Sequence, residues 1–156
     1  MYFQIRRDAE RWYADIRSSF VTDFDLYYLN LMAGFAARRK SEVQSAEAKD
    51  TVDYFVSQYK TRANLIIALL ISTELATAGI NLEERDSVNR TIARLITPSA
   101  ESHLTDEGTK LMNRYAHGGF EALLEYFDDR PRTIETFLRT YRIALSHLRA
   151  NVTQSI

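Results

Sequence analysis

Apolar residues recur along most of this chain at intervals of three and four, the spacing of a helix face rather than the alternation of a strand. Ile5, Ala9, Trp12, Tyr13 and Ile16 trace one such stripe and predict a helix over 4–18. Phe20 and Val21 interrupt it. Thr22 then reads as the N-cap of a second helix, 23–38, with Asp25 three residues on in a capping-box arrangement. Phe24, Tyr27, Tyr28, Leu31, Met32 and Phe35 share one side of that helix. Gly34 lies inside it and predicts close helix packing, with a hinge as the alternative. Arg38, Arg39 and Lys40 close it, favourably placed against its negative end.

The run Leu65–Ile71 is apolar on every side. It is far too short for a bilayer, which takes about 20 residues. A helix apolar all round is buried all round, so the pattern predicts a central helix over 60–78 wrapped by others. Gly79 is placed to cap it in the left-handed conformation. A shorter helix follows over 86–96 and stops before Pro98. Thr105 caps another, which the pair Gly118 and Gly119 is expected to break or bend before 120–127 continues. The last helix, 133–150, aligns Ile134, Phe137, Leu138, Tyr141, Leu145 and Leu148 on one face. Residues 41–50 and 99–105 read as loops. The fold expected is all-α: one helical domain over 1–156, a bundle of five to seven helices around the buried 60–78 helix.

Composition supports that reading. Only 5 Gly and 2 Pro occur in 156 residues, which favours long helices over a turn-rich sheet fold. Hydrophobic residues make up 46% and charged ones 26%, enough apolar side chain for a core and too little charge for disorder. Net charge is −1, which excludes a strongly basic nucleic-acid binder but leaves room for a local basic stripe. The chain has no cysteine, so thiolate metal sites, disulfides and thiol nucleophiles are excluded. The N-terminal stretch carries Arg6, Arg7, Asp8 and Glu10 and does not read as a secretory signal. A cytoplasmic protein is expected, without membrane attachment.

No motif announces a reaction or a cofactor. The three histidines (His103, His117, His147) form neither a His-Glu-x-x-His pair nor a Glu-x-x-His pair and read as surface residues. A P-loop and a Gly-x-Ser-x-Gly elbow are both missing. Gly118 and Gly119 offer a candidate anion site, if their amides start a helix. Glu74, just past the apolar run, reads as a carboxylate at a helix end or paired with an arginine. The candidate binding residues are basic: Arg38, Arg39 and Lys40 at one helix end, and Arg139, Arg142 and Arg149 along the last helix. Such a stripe meets phosphates or an acidic protein face. An ion pair between Glu135 and Arg139 is the ordinary alternative.

Two stretches resemble a known group of proteins. Phe20 to Lys40 runs from a threonine through an acidic helix start and an apolar helix to Gly34-Phe35 and three basic residues. Asn113 to Glu121 contains Tyr115-Ala116 and Gly118. Both are similar to segments of small accessory proteins linked to bacterial DNA phosphorothioation (Dnd) systems. The resemblance implies an accessory role in a DNA-modification or antiphage defence locus and transfers no catalytic residue. The expected function is therefore a non-enzymatic adaptor or small subunit of a larger assembly. It would act by recognising a protein partner, with nucleic acid as the other candidate. Two other readings stand beside it: a homo-oligomeric structural protein, and a small enzyme whose pocket gathers Glu74, His117 and Arg114.

Overall fold

The computed structural model describes residues 1–154. Among these it contains six α-helices, three short 3-10 segments and one two-stranded antiparallel sheet. The fold is predominantly helical, as the periodicity predicts. Two compact units divide it, each assembled from separate stretches of chain. The first joins Met1–Phe3 to Val52–Met112, and the second joins Gln4–Thr51 to the chain from Asn113 onward.

The second unit opens with β1 (Gln4–Arg6), paired antiparallel with β2 (Ala48–Asp50), Ile5 opposite Lys49. Both strands fall where the periodicity predicts a helix start and a loop. Phe3 and Ile5 are buried while Gln4 and Arg6 are only half so, an alternation too short to outweigh the helical stripe that Ile5 begins. The predicted 4–18 helix is reduced to α1 (Arg7–Trp12), followed by a 3-10 segment, Ala14–Ser19. Trp12 and Tyr13 then enter an aromatic cluster with Phe20, Phe120, Phe127 and Phe137. Edge-to-face rings of this kind add to the apolar burial they bring.

α2 (Asp23–Ala37) starts as the sequence predicts. The Asp25 carboxylate accepts hydrogen bonds from the backbone amides of Thr22 and Val21, each at 3.0 Å, satisfying donors that no helical carbonyl reaches. α2 ends with Arg38 in the left-handed conformation, φ 49°. Its amide bonds Phe35 and the Arg39 amide bonds Gly34, the hydrogen-bond pattern of a Schellman cap.

Further along the chain, α5 (Asp106–Tyr126) is one uninterrupted helix. Gly118 and Gly119 neither break nor bend it into two. They lie where its backbone meets α2. A Cβ on Gly119 would sit 1.8 Å from the Asn30 carbonyl oxygen, and one on Gly118 would sit 2.3 Å from that of Arg39. Gly34 fills the reciprocal role, since a Cβ there would sit 1.9 Å from the Tyr115 carbonyl oxygen. Gly34 and Gly119 are there because two helix backbones touch, and Gly118 because the chain just past the α2 cap crosses α5, so the packing reading of Gly34 holds. α6 (Ile134–Gln154) completes the unit along α2, where the Tyr141 hydroxyl donates to the Leu29 carbonyl at 2.7 Å. Leu138, expected on its inner face, is exposed.

In the first unit a 3-10 segment (Ser57–Arg62) runs straight into α3 (Ala63–Thr77), which packs against α4 (Arg85–Leu95). Gly79 has φ 69°, and the Ile80 amide bonds the Leu75 carbonyl, closing α3 as predicted. Thr105 caps α5: its hydroxyl accepts from the Gly108 amide at 2.9 Å and donates to the Arg94 carbonyl at 2.6 Å. α3 is not buried all round. Ile66, Ile67 and Leu70 face inward, but Leu65 is 62% exposed and Leu69 36%. A uniformly apolar sequence cannot say which side the neighbours occupy, and the wrapping expected for 60–78 is one-sided.

A candidate partner-binding surface

The two basic groups singled out in the sequence have different fates. Arg39 is spent inside the second unit. Its guanidinium bridges Glu121 at 3.1 Å and Glu125 at 2.9 Å. Lys40 lies over the Tyr115 ring, 5.6 Å from its centre. Arg38 alone of the three is exposed. Its left-handed backbone turns the chain so that Arg39 returns toward α5, as the cap hydrogen bonds require.

Arg139, Arg142 and Arg149 are all exposed on α6. They form no ion pair among the described residues, and the Glu135–Arg139 pair expected from spacing is absent there. Leu138 (48% exposed) and Ile143 (56%) stand among them. Residues 138, 142 and 149 fall along one side of a helix, with 139, 143 and 146 beside them. The outer face of α6 is thus three exposed guanidinium groups interleaved with two large apolar side chains. A groove of about 420 Å³ runs beside it. Ala37, Arg38 and Arg39 border it from α2 and its cap, Ala122 and Glu125 from α5, and Leu148 and Asn151 from α6.

Gly118 and Gly119 hold no anion site. They are buried in mid-helix, where backbone amides already serve intrahelical carbonyls and no helix start exposes them.

The same unit holds a polar cluster that the sequence does not announce. Glu121 receives Arg6 at 2.9 Å, Arg39 at 3.1 Å and the Ser41 hydroxyl at 2.7 Å. Burial alone would raise its pKa. The hydrogen bonds from Ser41 and Arg6 and the charges of both arginines outweigh that and hold the carboxyl below its ordinary range. Arg6 also pairs with Asp8 at 2.7 Å and lies over Phe120. One turn before Glu121, His117 is buried rather than on the surface, and its pKa is lowered from 6.5 to about 4, first by burial and then by the Arg6 charge. The spacing of His117, Glu121 and Glu125 at i, i+4 and i+8 is the signal the sequence holds. It can be read only once α5 is known to be continuous.

With both Glu121 oxygens engaged and His117 neutral and enclosed, the cluster ties β1, the α2 cap and α5 together. Its chemistry is that of a lock. Glu74, in the first unit, lies 4.0 Å from Arg94 and is mostly buried, the arginine-paired reading of that carboxylate. Glu101 and His103, exposed on the loop before α5, line a separate recess with Lys60 and Asn64. Among the described residues no three His, Asp or Glu side chains gather as a metal site, and no helix is long and apolar enough to cross a membrane. No protein-family model matches the chain, and no curated protein or solved structure matches it either.

Proposed function

We propose that this protein is a non-enzymatic helical adaptor, or a small subunit, of a prokaryotic DNA-modification or antiphage defence assembly, working in the cytoplasm. The observation that carries the recognition part is the outer face of α6. Arg139, Arg142 and Arg149 form no ion pair among the described residues, and Leu138 and Ile143 are exposed between them. Unpaired arginines beside exposed aliphatic side chains suit a protein partner with an acidic, partly apolar surface. A nucleic-acid backbone would engage the guanidinium groups and leave Leu138 and Ile143 without a matching apolar surface. The resemblance of Phe20–Lys40 and Asn113–Glu121 to Dnd-linked accessory proteins supports the assembly named. The Arg38–Lys40 group contributes one exposed cation, Arg38, at the edge of the neighbouring groove.

The test is a pull-down from the native cell with the wild-type chain and with Arg139→Glu/Arg142→Glu, each with and without nuclease. A partner held by the wild type, resistant to nuclease and lost from the double variant is the expected result. Both positions are exposed and without an ion pair among the described residues, so the variant should keep its fold, which helicity measures. Equal recovery by both proteins would remove α6 from the reading. A partner lost on nuclease treatment would transfer the arginine face to nucleic acid.

A further inference from the structure

α3 is apolar nearly all the way round, yet one side of it is open to solvent. Leu65, Leu69, Ser72 and Ala76 are all exposed. Their spacing (i, i+4, i+7, i+11) makes a single stripe along the helix. The stripe carries no charge. Its large residues lie in the first half and its small ones in the second. Turning a copy of α3 end for end about the midpoint between Leu69 and Ser72 sets each Leu65 against an Ala76 and each Leu69 against a Ser72. Large side chains then meet small ones at every level, the interdigitation that close helix packing needs.

Charge follows the same symmetry. Lys60 and Arg62 precede α3, exposed, and form no ion pair among the described residues. Glu83 lies just beyond its C-terminal cap, also exposed and also without an ion pair there. The end-for-end rotation brings the cationic start of one helix toward the acidic end of the other. It also opposes the two helix dipoles. A parallel arrangement would put like charges together and leucine against leucine. Leu82, 75% exposed in the same connector as Glu83, extends the apolar surface at that end.

We propose that the exposed face of α3 docks onto the same face of a second copy of this chain, in an antiparallel pair related by a two-fold axis between Leu69 and Ser72. Such an interface is isologous, so one patch serves both copies. A seam fifteen residues long spans roughly 22 Å. One helix is about 10 Å wide, so the seam covers on the order of 220 Å² per partner, short of the roughly 800 Å² of a durable interface, and the pair is a reversible dimer. This inference stands apart from the α6 reading and uses none of its residues.

Sedimentation over a concentration series tests it. The wild type should move from a monomer of 18.0 kDa to twice that mass. Leu65→Glu should stay monomeric with unchanged helicity, since that side chain already faces outward. Leu138→Glu on α6 should dimerise as the wild type does. The absence of cysteine allows a second check. Under mild oxidation Ser72→Cys, close to the axis, should form a disulfide-linked dimer, while Asn64→Cys, far from it, should not. A wild type that is monomeric throughout overturns the proposal, as does a dimer indifferent to Leu65→Glu. Cross-linking at both cysteines, or at neither, overturns the antiparallel pairing.

Discussion

His117 is held neutral by burial and by the Arg6 guanidinium, and its pKa falls from 6.5 to about 4. In the unfolded chain the imidazole recovers its ordinary value. Between about pH 6.5 and 4 the unfolded state therefore binds more protons than the folded one, and stability falls as the pH falls through that window. The full difference is on the order of 3 kcal/mol at the acid end. Glu121 adds its own loss at lower pH, because its depressed carboxyl must be protonated before its bonds to Arg6 and Ser41 weaken. Urea midpoints measured across the window should decline for the wild type and stay nearly level for His117→Gln. An equal decline in the variant would place the acid sensitivity in other groups. The i, i+4, i+8 spacing of His117, Glu121 and Glu125 puts them on one face of α5 but does not say that His117 is buried. It becomes an inward residue only because α2 lies against the face of α5 that carries Gly118 and Gly119.

At the scale of elements, helices are legible wherever local chemistry and periodicity agree. The Thr22–Asp25 start of α2, the Gly79 end of α3 and the Thr105 cap of α5 all appear where the residues place them. Two kinds of element are not legible. β1 and β2 hold by pairing Gln4–Arg6 with Ala48–Asp50, a partnership across more than forty residues that no local window contains. Gly118-Gly119 reads as a break because glycine costs a helix about 1 kcal/mol against alanine. The structure shows what offsets that cost, a backbone contact with α2 that any side chain would obstruct. Gly34→Ala tests it from the other side. Its Cβ would fall 1.9 Å from the Tyr115 carbonyl oxygen, and backbone does not yield as a flexible side chain does. The variant should lose about 3 kcal/mol, at the upper end for overpacking, read as a lower urea midpoint with an unchanged slope. A change no larger than that of an alanine at an exposed helix position would return Gly34 to the hinge reading. On α6 the arginines are legible as an outer face. Leu138 and Ile143 are not, since a periodic stripe fixes a direction only to within about a residue's width on the helix.

For the whole molecule, the division into two units cuts across chain order. The first three residues belong with Val52–Met112, not with the strand that follows them. Phe3 is fully buried, its ring 5.4 Å from that of Phe55, and its amide donates to the Val52 carbonyl at 2.8 Å. Phe3 is thus part of the core of the unit that holds α3 and α4. The second unit has its own core in the Trp12–Phe137 cluster and its own polar lock at Glu121. Phe3→Ala removes the ring from the first core, at a cost of about 3–5 kcal/mol if the cavity stays open. Hydrogen exchange resolves where that cost is felt. Units that open separately should show faster exchange in α3 and α4 and little change in α6, because local opening is confined to the cooperative unit whose packing is weakened. A rise of equal size in α6 would mean that the two cores unfold as one cooperative body.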